Sequence, residues 1–472
     1  MDATTTQTYE TIVGRIERLP YSRWHTFVRV VLGACTFFDA YDVIVIAFVM
    51  PVLAPLWHLS PSEIGLLFSS GFAGQLIGAA LFGWLGERYG RIATLNVAIV
   101  FISLFGLACA VAWGYWPLVV FRFLQGLGIG GEPPLAATYV SEIAKAKARG
   151  RFVLIYQLLY PIGLMSASLI SLVVVRNFGW PWMFAIGAFP AVMMIAIFRA
   201  VPESPRWLAR KGRLGEADRV LTAIEADVAA GAALPRAAAA PPAPAGTSAG
   251  APGRIASGQI ASGHLADLFR GPYGRRTLCL WLMWFCASSA GYGLLIWLPT
   301  LFAKFYHLSV QQSLNYSAVG NVAALATGIL AAVLIDRVGR KTLFAVSFFF
   351  TGLPLLALAA LTEASAVTVM VLAALATASI SAAQLSVWAY TPENYPTRIR
   401  AFGVSAASAV ARAASMIAPS VVGYLLAVAS INAVFLLFGV IAMVGVAAIL
   451  WFGQETSGRS LEEISPDVVK AA

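Results

Sequence analysis

The chain has 472 residues, of which 59% are hydrophobic and only 11% are charged. Soluble domains carry about 25% charged residues, so this composition excludes a soluble enzyme and indicates a polytopic membrane protein. The formal net charge is +10, but the basic residues fall in connections between apolar runs. That arrangement is typical of membrane topology, and we expect no nucleic-acid partner.

Apolar runs long enough to cross a bilayer recur along nearly the whole chain. A bilayer core about 30 Å thick requires about 20 apolar residues per helix. The pattern predicts an all-α membrane protein with twelve transmembrane helices. The predicted spans lie near residues 28–54, 63–86, 92–112, 116–141, 152–175, 181–200, 277–303, 313–335, 342–362, 367–390, 402–428 and 431–452.

The connections between these spans alternate in charge. "AKAKARGR" (Ala144–Arg151), "PRWLARKGR" (Pro205–Arg213) and "DRVGRK" (Asp336–Lys341) are basic, whereas "PLWHLSPSE", "WGYW" and "LTEAS" contain no Lys or Arg. Cytoplasmic connections are enriched in Lys and Arg. We therefore expect both termini and the long middle connection in the cytoplasm.

A long Ala/Pro/Gly-rich stretch separates the sixth span from the seventh, and such a composition predicts a flexible linker. The chain then divides into two six-helix bundles with cytoplasmic extensions. The expected segments are a cytoplasmic N-terminal segment (1–27), a first bundle (28–201), a cytoplasmic linker (202–276), a second bundle (277–452) and a cytoplasmic tail (453–472).

The first span contains two acidic residues, Asp39 and Asp42, in "FFDAYDVIVIAFVMP". A carboxylate in hydrocarbon costs roughly 2.5–3.5 kcal/mol on insertion scales. Because residues three apart share a helical face and close carboxylates raise one apparent pKa, the pair predicts a proton-coupling site. The alternative is a permanent structural pairing of one aspartate with Arg122 in the fourth span.

The fourth span also contains Glu132, within "GGEPP". Pro133 and Pro134 remove two backbone donors and predict a local break in the helix, so Glu132 is either a third proton-coupling residue or part of a bend. The preceding "GLGIGG" matches a dinucleotide-binding pattern, but it lies inside an apolar helix rather than after a strand. Its glycines are better explained by close helix packing.

Two pairs of loops recur in the two halves. "GWLGERYGR" and "AVLIDRVGR" share one pattern, and their acidic residues, Glu87 and Asp336, are 249 positions apart. In a second motif Glu precedes Arg by seven residues, as Glu142 precedes Arg149 and Glu393 precedes Arg400. These repeats predict a duplicated six-helix unit. They also predict a clamp between the bundles, in which an acid at a helix N-terminus of one bundle pairs with basic residues of the other. The alternative is that these loops only cap helices. The candidate gate residues are Glu87, Arg88, Arg91, Glu142, Arg149, Asp336, Arg337, Arg340, Glu393 and Arg400.

Arg412 in the eleventh span is the residue that indicates a substrate. A guanidinium stays charged and its planar fork fits a carboxylate, and the surrounding helix is rich in Ala and Ser. The alternative is that Arg412 is the partner of a cavity acid. Aromatic and polar residues of other spans would complete a cage for a flat organic anion. These predicted substrate residues are Tyr156, Tyr160, Trp284, Ser288, Tyr292, Gln384 and Trp388.

Several of these motifs resemble a known family. "GERYGR", "IDRVGRK" and "PESPRWL" look like the signature loops of the major facilitator superfamily, and the resemblance covers nearly the entire chain. "DAYD", "GGEPPLAATYVSE" and "YTPENYPTRIRAFGVSAASAVAR" are more similar to the bacterial niacin transporters (NiaP type), then to aromatic-acid/proton symporters and the organic ion and synaptic-vesicle branch. The double proline and the long linker depart from the family pattern.

The resemblance implies the major facilitator fold, in the bacterial inner membrane, and no enzymatic activity. In the organic ion branch the eleventh-span position of Arg412 tends to be Arg in anion carriers. We therefore expect proton-coupled import of a small aromatic carboxylate, nicotinate first, by alternating access. The alternatives are a symporter of benzoate-like acids and a sugar or polyol porter, whose neutral ligand would leave Arg412 without a counter-charge. We expect no cofactor or metal, and a monomer that interacts with its substrate, protons and the bilayer.

Overall fold

The computed structural model describes residues 9–143, 159–189, 201–231, 268–271, 273–361, 364–395 and 397–457. This part of the chain is helical and contains no β-strand. The helices before the gap at 232–267 are α1 (Tyr9–Arg18), α2 (Arg23–Leu56), α3 (Pro61–Tyr89), α4 (Arg91–Ala110), α5 (Tyr115–Ile143), α6 (Leu159–Asn177), α7 (Pro181–Gly187), α8 (Pro205–Arg210) and α9 (Leu214–Gly231).

The helices after that gap are α10 (Tyr273–Phe305), α11 (Val310–Val338), α12 (Arg340–Ala360), α13 (Ala366–Glu393), α14 (Thr397–Val428) and α15 (Ile431–Phe452). Within the described residues, ten helices are long and apolar enough to cross a membrane, namely α2–α4, α6 and α10–α15. They match ten of the twelve predicted spans. The fourth span coincides with α5, and the sixth begins at α7 and continues into residues 190–200, outside the described part.

Most helices extend a few residues beyond the predicted spans. α2 begins at Arg23 rather than near residue 28, and α10 begins at Tyr273 rather than near residue 277. An apolar run reports only the part of a helix that faces hydrocarbon, whereas the helix continues until a capping residue, a glycine or a proline ends it.

The helices of the two halves pack in the same pattern. In the first half α2 packs against α6, α3 against α5 and α4 against α7. In the second half the equivalent pairs are α10 with α14, α11 with α13 and α12 with α15. The halves contact each other through α3 with α14, α6 with α11, and α2 with α10. This pattern is expected of a duplicated unit whose two copies face one another.

The turns are duplicated as well. His58 and His307 both have positive φ, 52° and 51°. Two residues later, Ser60 and Ser309 begin α3 and α11 with capping boxes that include Glu63 in the first half. Each box satisfies backbone donors at the exposed start of a helix. The two histidines are 249 residues apart, and so are the two serines. Glu87 and Asp336 are separated by the same number of residues.

The glycines of "GLGIGG" bring three helices together. Cβ atoms on Gly126 and Gly130 would collide with the backbone oxygens of Gly71 and Gln75 in α3. A Cβ on Gly128 would lie 2.6 Å from the oxygen of Ala98 in α4. The glycines therefore let α5 approach α3 and α4 closely, as the sequence predicts.

The predicted break at the double proline does not occur, because α5 runs from Tyr115 to Ile143 with Pro133 and Pro134 inside it. The two prolines lack the N–H groups that would donate to the carbonyls of Ile129 and Gly130, and the helix nevertheless continues through them. Thr138 Oγ1 donates to the Pro134 oxygen at 2.6 Å in the following turn.

The first part of the predicted linker is folded. α8 and α9 pack against α1 around a small apolar core that includes Ile12, Trp207 and Leu221. Arg15 of α1 pairs with Asp218 at 2.5 Å and with Glu225 at 2.6 Å. We call this unit of α1, α8 and α9 the clasp. Most of the Ala/Pro/Gly-rich core of the linker lies outside the described residues.

Candidate functional site

The halves meet tightly at the end where α3 begins. Ser69 Oγ donates to the Met416 oxygen at 2.6 Å, and Lys304 Nζ donates to the Leu59 oxygen at 3.3 Å. Phe68 and Trp297 form an edge-to-face pair across the halves with ring centroids 5.4 Å apart. Gly65 is so close to α14 that a Cβ there would lie 2.7 Å from the Pro419 backbone oxygen.

A shallow apolar cleft of about 470 Å³ opens between α3 and α14 at the same end. It is lined by residues such as Leu66, Ile417 and Tyr424, which are 45–62% exposed. The predicted substrate residues do not line this cleft. It is a groove on the outer surface of the α3–α14 contact and not the candidate site.

Asp42 and Arg122 lie side by side in the first half without forming an ion pair. Arg122 Nη1 donates to the Asp42 backbone oxygen at 3.0 Å and to Gln125 Oε1 at 2.7 Å. In the described part of the chain, no donor reaches either carboxylate oxygen of Asp42. The anticipated pairing of Arg122 with an aspartate is therefore made to the backbone and not to the carboxyl group. The guanidinium also lies 5.9 Å from the centroid of the Phe184 ring.

Asp42 is shielded by a glycine of α7. The side chain of Asp42 is 0% exposed, and a Cβ on Gly187 would collide with Asp42 Oδ1. On the other side of Arg122, a Cβ on Gly71 would lie 3.4 Å from Nη2. Small residues thus let neighbouring helices pack directly against the buried acid and the buried base.

Asp39 lies against Glu132 of α5, and the two carboxyl groups interact directly. Both side chains are at most 1% exposed. Thr36 Oγ1 donates to Glu132 Oε1 at 3.2 Å and to Oε2 at 3.4 Å, while no donor among the described residues reaches Asp39 Oδ2.

Glu132 therefore joins the predicted pair, because Asp39 interacts with Glu132 more strongly than with Asp42. Residues three apart on a helix differ in depth by about 4.5 Å. On α5, Glu132 lies beside Asp39, whereas Arg122 begins about 15 Å away along the helix axis and reaches the Asp42 backbone oxygen with the end of its long side chain. Glu132 thus belongs to the acid pair rather than marking a bend.

Arg412 lies at the boundary between the halves. Its side chain is half-buried, and Nη1 donates to the Gln75 backbone oxygen of α3 at a long 3.5 Å. The ionisable groups that interact electrostatically with it are Tyr292 of its own half and Tyr160 and Asp39 of the other half. The guanidinium forms no ion pair with a described carboxylate, so its charge is available to an incoming anion.

The two tyrosines bridge the halves beside Arg412. Tyr160 Oη on α6 and Tyr292 Oη on α10 are 2.9 Å apart. Phe72 of α3 packs edge-to-face on Tyr292 with ring centroids 5.4 Å apart. We call Arg412, Tyr160, Tyr292 and Phe72 the central cluster. Phe72 was not predicted, and only the packing of α3 against the second half brings it here.

The predicted tryptophans form a separate group in the second half. Trp284 Nε1 donates to Thr391 Oγ1 at 2.9 Å, and its ring packs edge-to-face on Trp388 at 4.7 Å. Trp388 is 45% exposed.

Gln384 and Ser288 are also held within the second half. Gln384 Nε2 donates to the Ala287 oxygen at 3.2 Å and its amide rests on Gly291, and Ser288 is buried. These residues link α10 to α13, and their recorded contacts do not include Arg412. Tyr156 lies outside the described residues.

The gate loop of the first half is a network inside that half. Arg91 is 3% exposed and pairs with Glu87 at 2.7 Å and with Glu142 at 3.3 Å. Glu203 accepts from the backbone nitrogens of Arg91 at 2.9 Å and Ile92 at 3.1 Å, which caps the start of α4. Burial raises the pKa of the Glu203 carboxyl despite these backbone hydrogen bonds.

The second half repeats this network. Arg340 pairs with Glu393 at 3.1 Å. Glu455 accepts from the backbone nitrogens of Arg340 and Lys341, each at 3.0 Å, at the start of α12. Burial acts to raise the pKa of Glu455, but backbone donors that include Ser457 outweigh it and lower that pKa.

Each capping acid therefore comes from the same half as the helix it caps, which differs from the expected clamp between bundles. A glycine with positive φ precedes each helix, Gly90 at 117° and Gly339 at 89°, and a side chain there would meet Glu203 or Glu455. Neither acid was among the predicted gate residues. Their shared position, just after the last predicted span of each half, is the sequence feature that could have identified them.

The remaining gate residues take little part in these networks. Arg88 is exposed and lies over Trp84, and Arg337 is exposed. Arg400 Nε donates to the Tyr395 oxygen at 3.1 Å. Arg149 and the side chain of Asp336 lie outside the described part of the structure.

Within the described residues, no group of three His, Cys, Asp or Glu side chains could hold a metal ion. The polar groups of the site are an acid pair in the first half, a guanidinium at the boundary that forms no ion pair with a described carboxylate, and the tyrosine bridge. Such an arrangement can bind an organic anion and can accept a proton.

The chain is similar to known transporters over nearly its whole length. It is 36% identical to the niacin transporter NiaP of Acinetobacter baylyi over 466 residues, which cover 96% of this chain and 99% of that protein. It is 29% identical to the putative niacin/nicotinamide transporter NiaP of Bacillus subtilis, covering 92% and 96% of the two chains.

The fold agrees with these similarities. The inward-open structure of the xylose transporter XylE from E. coli superposes with a TM-score of 0.68 at 19% identity, covering 93% of this chain and 99% of that one. The family model described as "Sugar (and other) transporter" matches residues 17–468. The chain therefore belongs to the sugar (and other) transporter family of the major facilitator superfamily.

Proposed function

We propose that this protein is a secondary active transporter that imports a small aromatic carboxylate, nicotinate first, together with protons. The observation that carries the proposal is the position of Arg412. It is half-buried at the boundary between the halves, has no described carboxylate partner, and lies beside Tyr160 and Tyr292. A guanidinium beside aromatic rings fits a flat carboxylate. The names of the two niacin-transporter relatives favour the same substrate.

The proton would bind at the acid pair. Asp39 and Glu132 are buried together, and two adjacent carboxyl groups favour holding one proton between them. In our proposal Asp42 has a supporting role, because its carboxylate is enclosed by Gly187 and lies beside Arg122.

Transport would proceed by alternating access. The bonds between halves lie at the end where α3 begins, including those of Ser69 and Lys304. The connections at this end contain no Lys or Arg, so we assign it to the outside. The conformer is then closed to the outside, in keeping with its likeness to an inward-open transporter.

The proposed topology has twelve spans with both termini and the linker 202–276 in the cytoplasm. The proposed bundles are 28–201 and 277–452, in the bacterial inner membrane. We propose that one chain forms the whole pathway, since the central cluster is built from both halves of a single chain.

Benzoate-like acids are the alternative substrates, because they present the same carboxylate and ring. A sugar or polyol is the second alternative, and the family description "Sugar (and other) transporter" favours it. A neutral sugar would bring no negative charge to Arg412, so it would make no use of the guanidinium.

The test is uptake of labelled nicotinate, benzoate and xylose into proteoliposomes, with and without an inward proton gradient. We expect accumulation of nicotinate that depends on the gradient, and its loss in Arg412→Gln. Arg219→Gln, which removes an exposed arginine of α9, is the control and should transport normally. Xylose accumulation without nicotinate uptake would contradict the proposal. Near-normal nicotinate uptake by Arg412→Gln would remove the proposed anchor.

A further inference from the structure

The proposed anion site and the proposed proton site lie in different halves. Arg412 belongs to α14, whereas Asp39 and Glu132 belong to α2 and α5. The hydroxyls of Tyr160 and Tyr292 are 2.9 Å apart across the boundary. Tyr160 interacts with both Asp39 and Arg412, so the bridge is in contact with both sites.

The packing of α6 against α2 fixes Tyr160 beside the acids. Gly163, one turn after Tyr160, is so close to α2 that a Cβ would collide with the Phe37 oxygen and lie 2.9 Å from Ala40 Cβ. These α2 residues flank Asp39. Tyr160 consequently interacts with Asp39 on one side and with Tyr292 and Arg412 on the other.

The groups around the bridge are mostly acidic or neutral. The ionisable side chains that act on Asp39, Tyr160 or Arg412 come from α2, α5, α6, α10 and α14, and they are Cys35, Asp39, Asp42, Glu132, Tyr160, Tyr292 and Arg412. Arg412 is the positive member of this set. A change in its charge environment therefore alters the electrostatic environment of Asp39 and of the two tyrosines.

We propose that the Tyr160–Tyr292 bridge couples anion binding at Arg412 to proton uptake by the Asp39–Glu132 pair. With Arg412 unoccupied, its positive charge stabilises ionised Asp39 across the bridge. A bound carboxylate neutralises the guanidinium, the tyrosine hydroxyls reorient towards the anion, and the acid pair takes up a proton from water. The inference rests on the proposed function, and it makes both tyrosines positioning residues for coupling.

Linkage makes the proposal measurable, because proton uptake must strengthen anion binding by the same factor as anion binding strengthens proton uptake. The first experiment measures the Kd of nicotinate between pH 6 and pH 8, where nicotinate remains an anion. Coupling between sites typically changes affinity about 5–150-fold, and we expect wild type to bind about tenfold more tightly at pH 6 than at pH 8.

Tyr160→Phe and Tyr292→Phe remove one hydroxyl each and keep the rings. Both should bind nicotinate more weakly than wild type, because the hydroxyls also meet the anion, so the readout is the ratio of Kd at pH 8 to Kd at pH 6. That ratio should fall from about tenfold to less than about threefold. Tyr424→Phe, which removes an exposed hydroxyl on α14, is the control and should keep the wild-type profile. Full pH dependence in both bridge variants would overturn the proposal.

A second experiment needs no substrate. Asp39→Asn, Arg412→Gln and the double variant are compared by thermal unfolding, in the wild-type and Tyr160→Phe backgrounds. Their effects should be non-additive in the wild-type background and close to additive without the Tyr160 hydroxyl.

The two experiments separate the two claims. Absence of nicotinate binding by wild type, together with the expected pattern of additivity, would reject the proposed substrate and keep the coupling. Equal non-additivity in both backgrounds would reject the coupling, whatever the substrate.

Discussion

Asp39 interacts more strongly with Glu132, which lies 93 residues away on α5, than with Asp42, its neighbour one turn along α2. Asp42 lies instead beside Arg122 and Gln125. The two aspartates that look alike in sequence thus occupy different environments. One belongs to an acid pair that can hold a proton, and the other is enclosed beside a buried base.

The acid pair should act as one unit. Asp39→Asn and Glu132→Gln should each abolish accumulation of substrate driven by a proton gradient, and the double variant should be no worse than either, since each removes half of one shared site. Counterflow exchange needs no net proton movement and should persist. The measurement is gradient-driven uptake beside counterflow in proteoliposomes. Accumulation that survives in both single variants would place the proton site elsewhere.

The contact of Asp42 with α7 should be sensitive to a single methyl group. Gly187→Ala places a Cβ against Asp42 Oδ1, and forcing extra volume into a packed interior costs about 1–3 kcal/mol. We expect a lower unfolding temperature in detergent and slower transport. Gly215→Ala, where nothing lies within 4 Å of the added Cβ, is the matched control. A variant as stable and as active as wild type would show that α7 moves away from Asp42 without cost.

Much of the fold is predictable from the sequence. Hydropathy locates the spans because every membrane helix must be apolar over about the same length. The repeated loops reveal the two halves, because each copy needs the same glycine turn and the same buried arginine, as Gly90 with Arg91 and Gly339 with Arg340 show.

The partners inside the site are not predictable in the same way. Which acid meets Asp39 depends on how far α5 slides along α2, and that depth is set by the glycine contacts of α5 with α3 and α4. Phe72 enters the central cluster because α3 packs on the second half. Trp284 and Trp388 form their own pair for a similar reason. Such contacts depend on how the helices pack in the folded bundle, and a local sequence pattern does not predict that packing.

The capping acids of the gate loops should matter in both halves, but more in the second. Glu203→Gln and Glu455→Gln remove the negative charge at the starts of α4 and α12, where the helix dipole favours an anion. Loss of such a cap costs about 0.5–2 kcal/mol. We expect both variants to lower the unfolding temperature and to alter the transport rate. Glu455→Gln should have the larger effect on stability, because backbone hydrogen bonds lower the pKa of Glu455 whereas burial raises the pKa of Glu203.

Glu216→Gln is the control for these two variants, since Glu216 pairs with Arg213 on the exposed side of α9 and caps neither gate helix. A large effect of one gate variant together with no effect of the other would show that the two halves, although built alike, are not used alike during transport.

The clasp should restrain the linker without taking part in transport. Arg15→Ala removes the pairs with Asp218 and Glu225, which are partly exposed. Exposed ion pairs contribute about 0–1 kcal/mol, so overall stability should change little. Release of α1 should nevertheless expose α9 and speed cleavage of the linker by trypsin, while nicotinate uptake stays normal. High salt should have the same effect on wild type, since salt screens such pairs.

Asp227→Asn is the matched control, because it removes an exposed charge of α9 and keeps every Lys and Arg of the linker. It should leave the cleavage rate unchanged. If Arg15→Ala and wild type are cleaved at the same rate, the apolar contacts of Ile12 and Trp207 alone hold the clasp. If Arg15→Ala slows uptake instead, the clasp is part of the gate, and the Trp207 hydrogen bond to the Glu87 oxygen at 3.2 Å is the contact through which it would act.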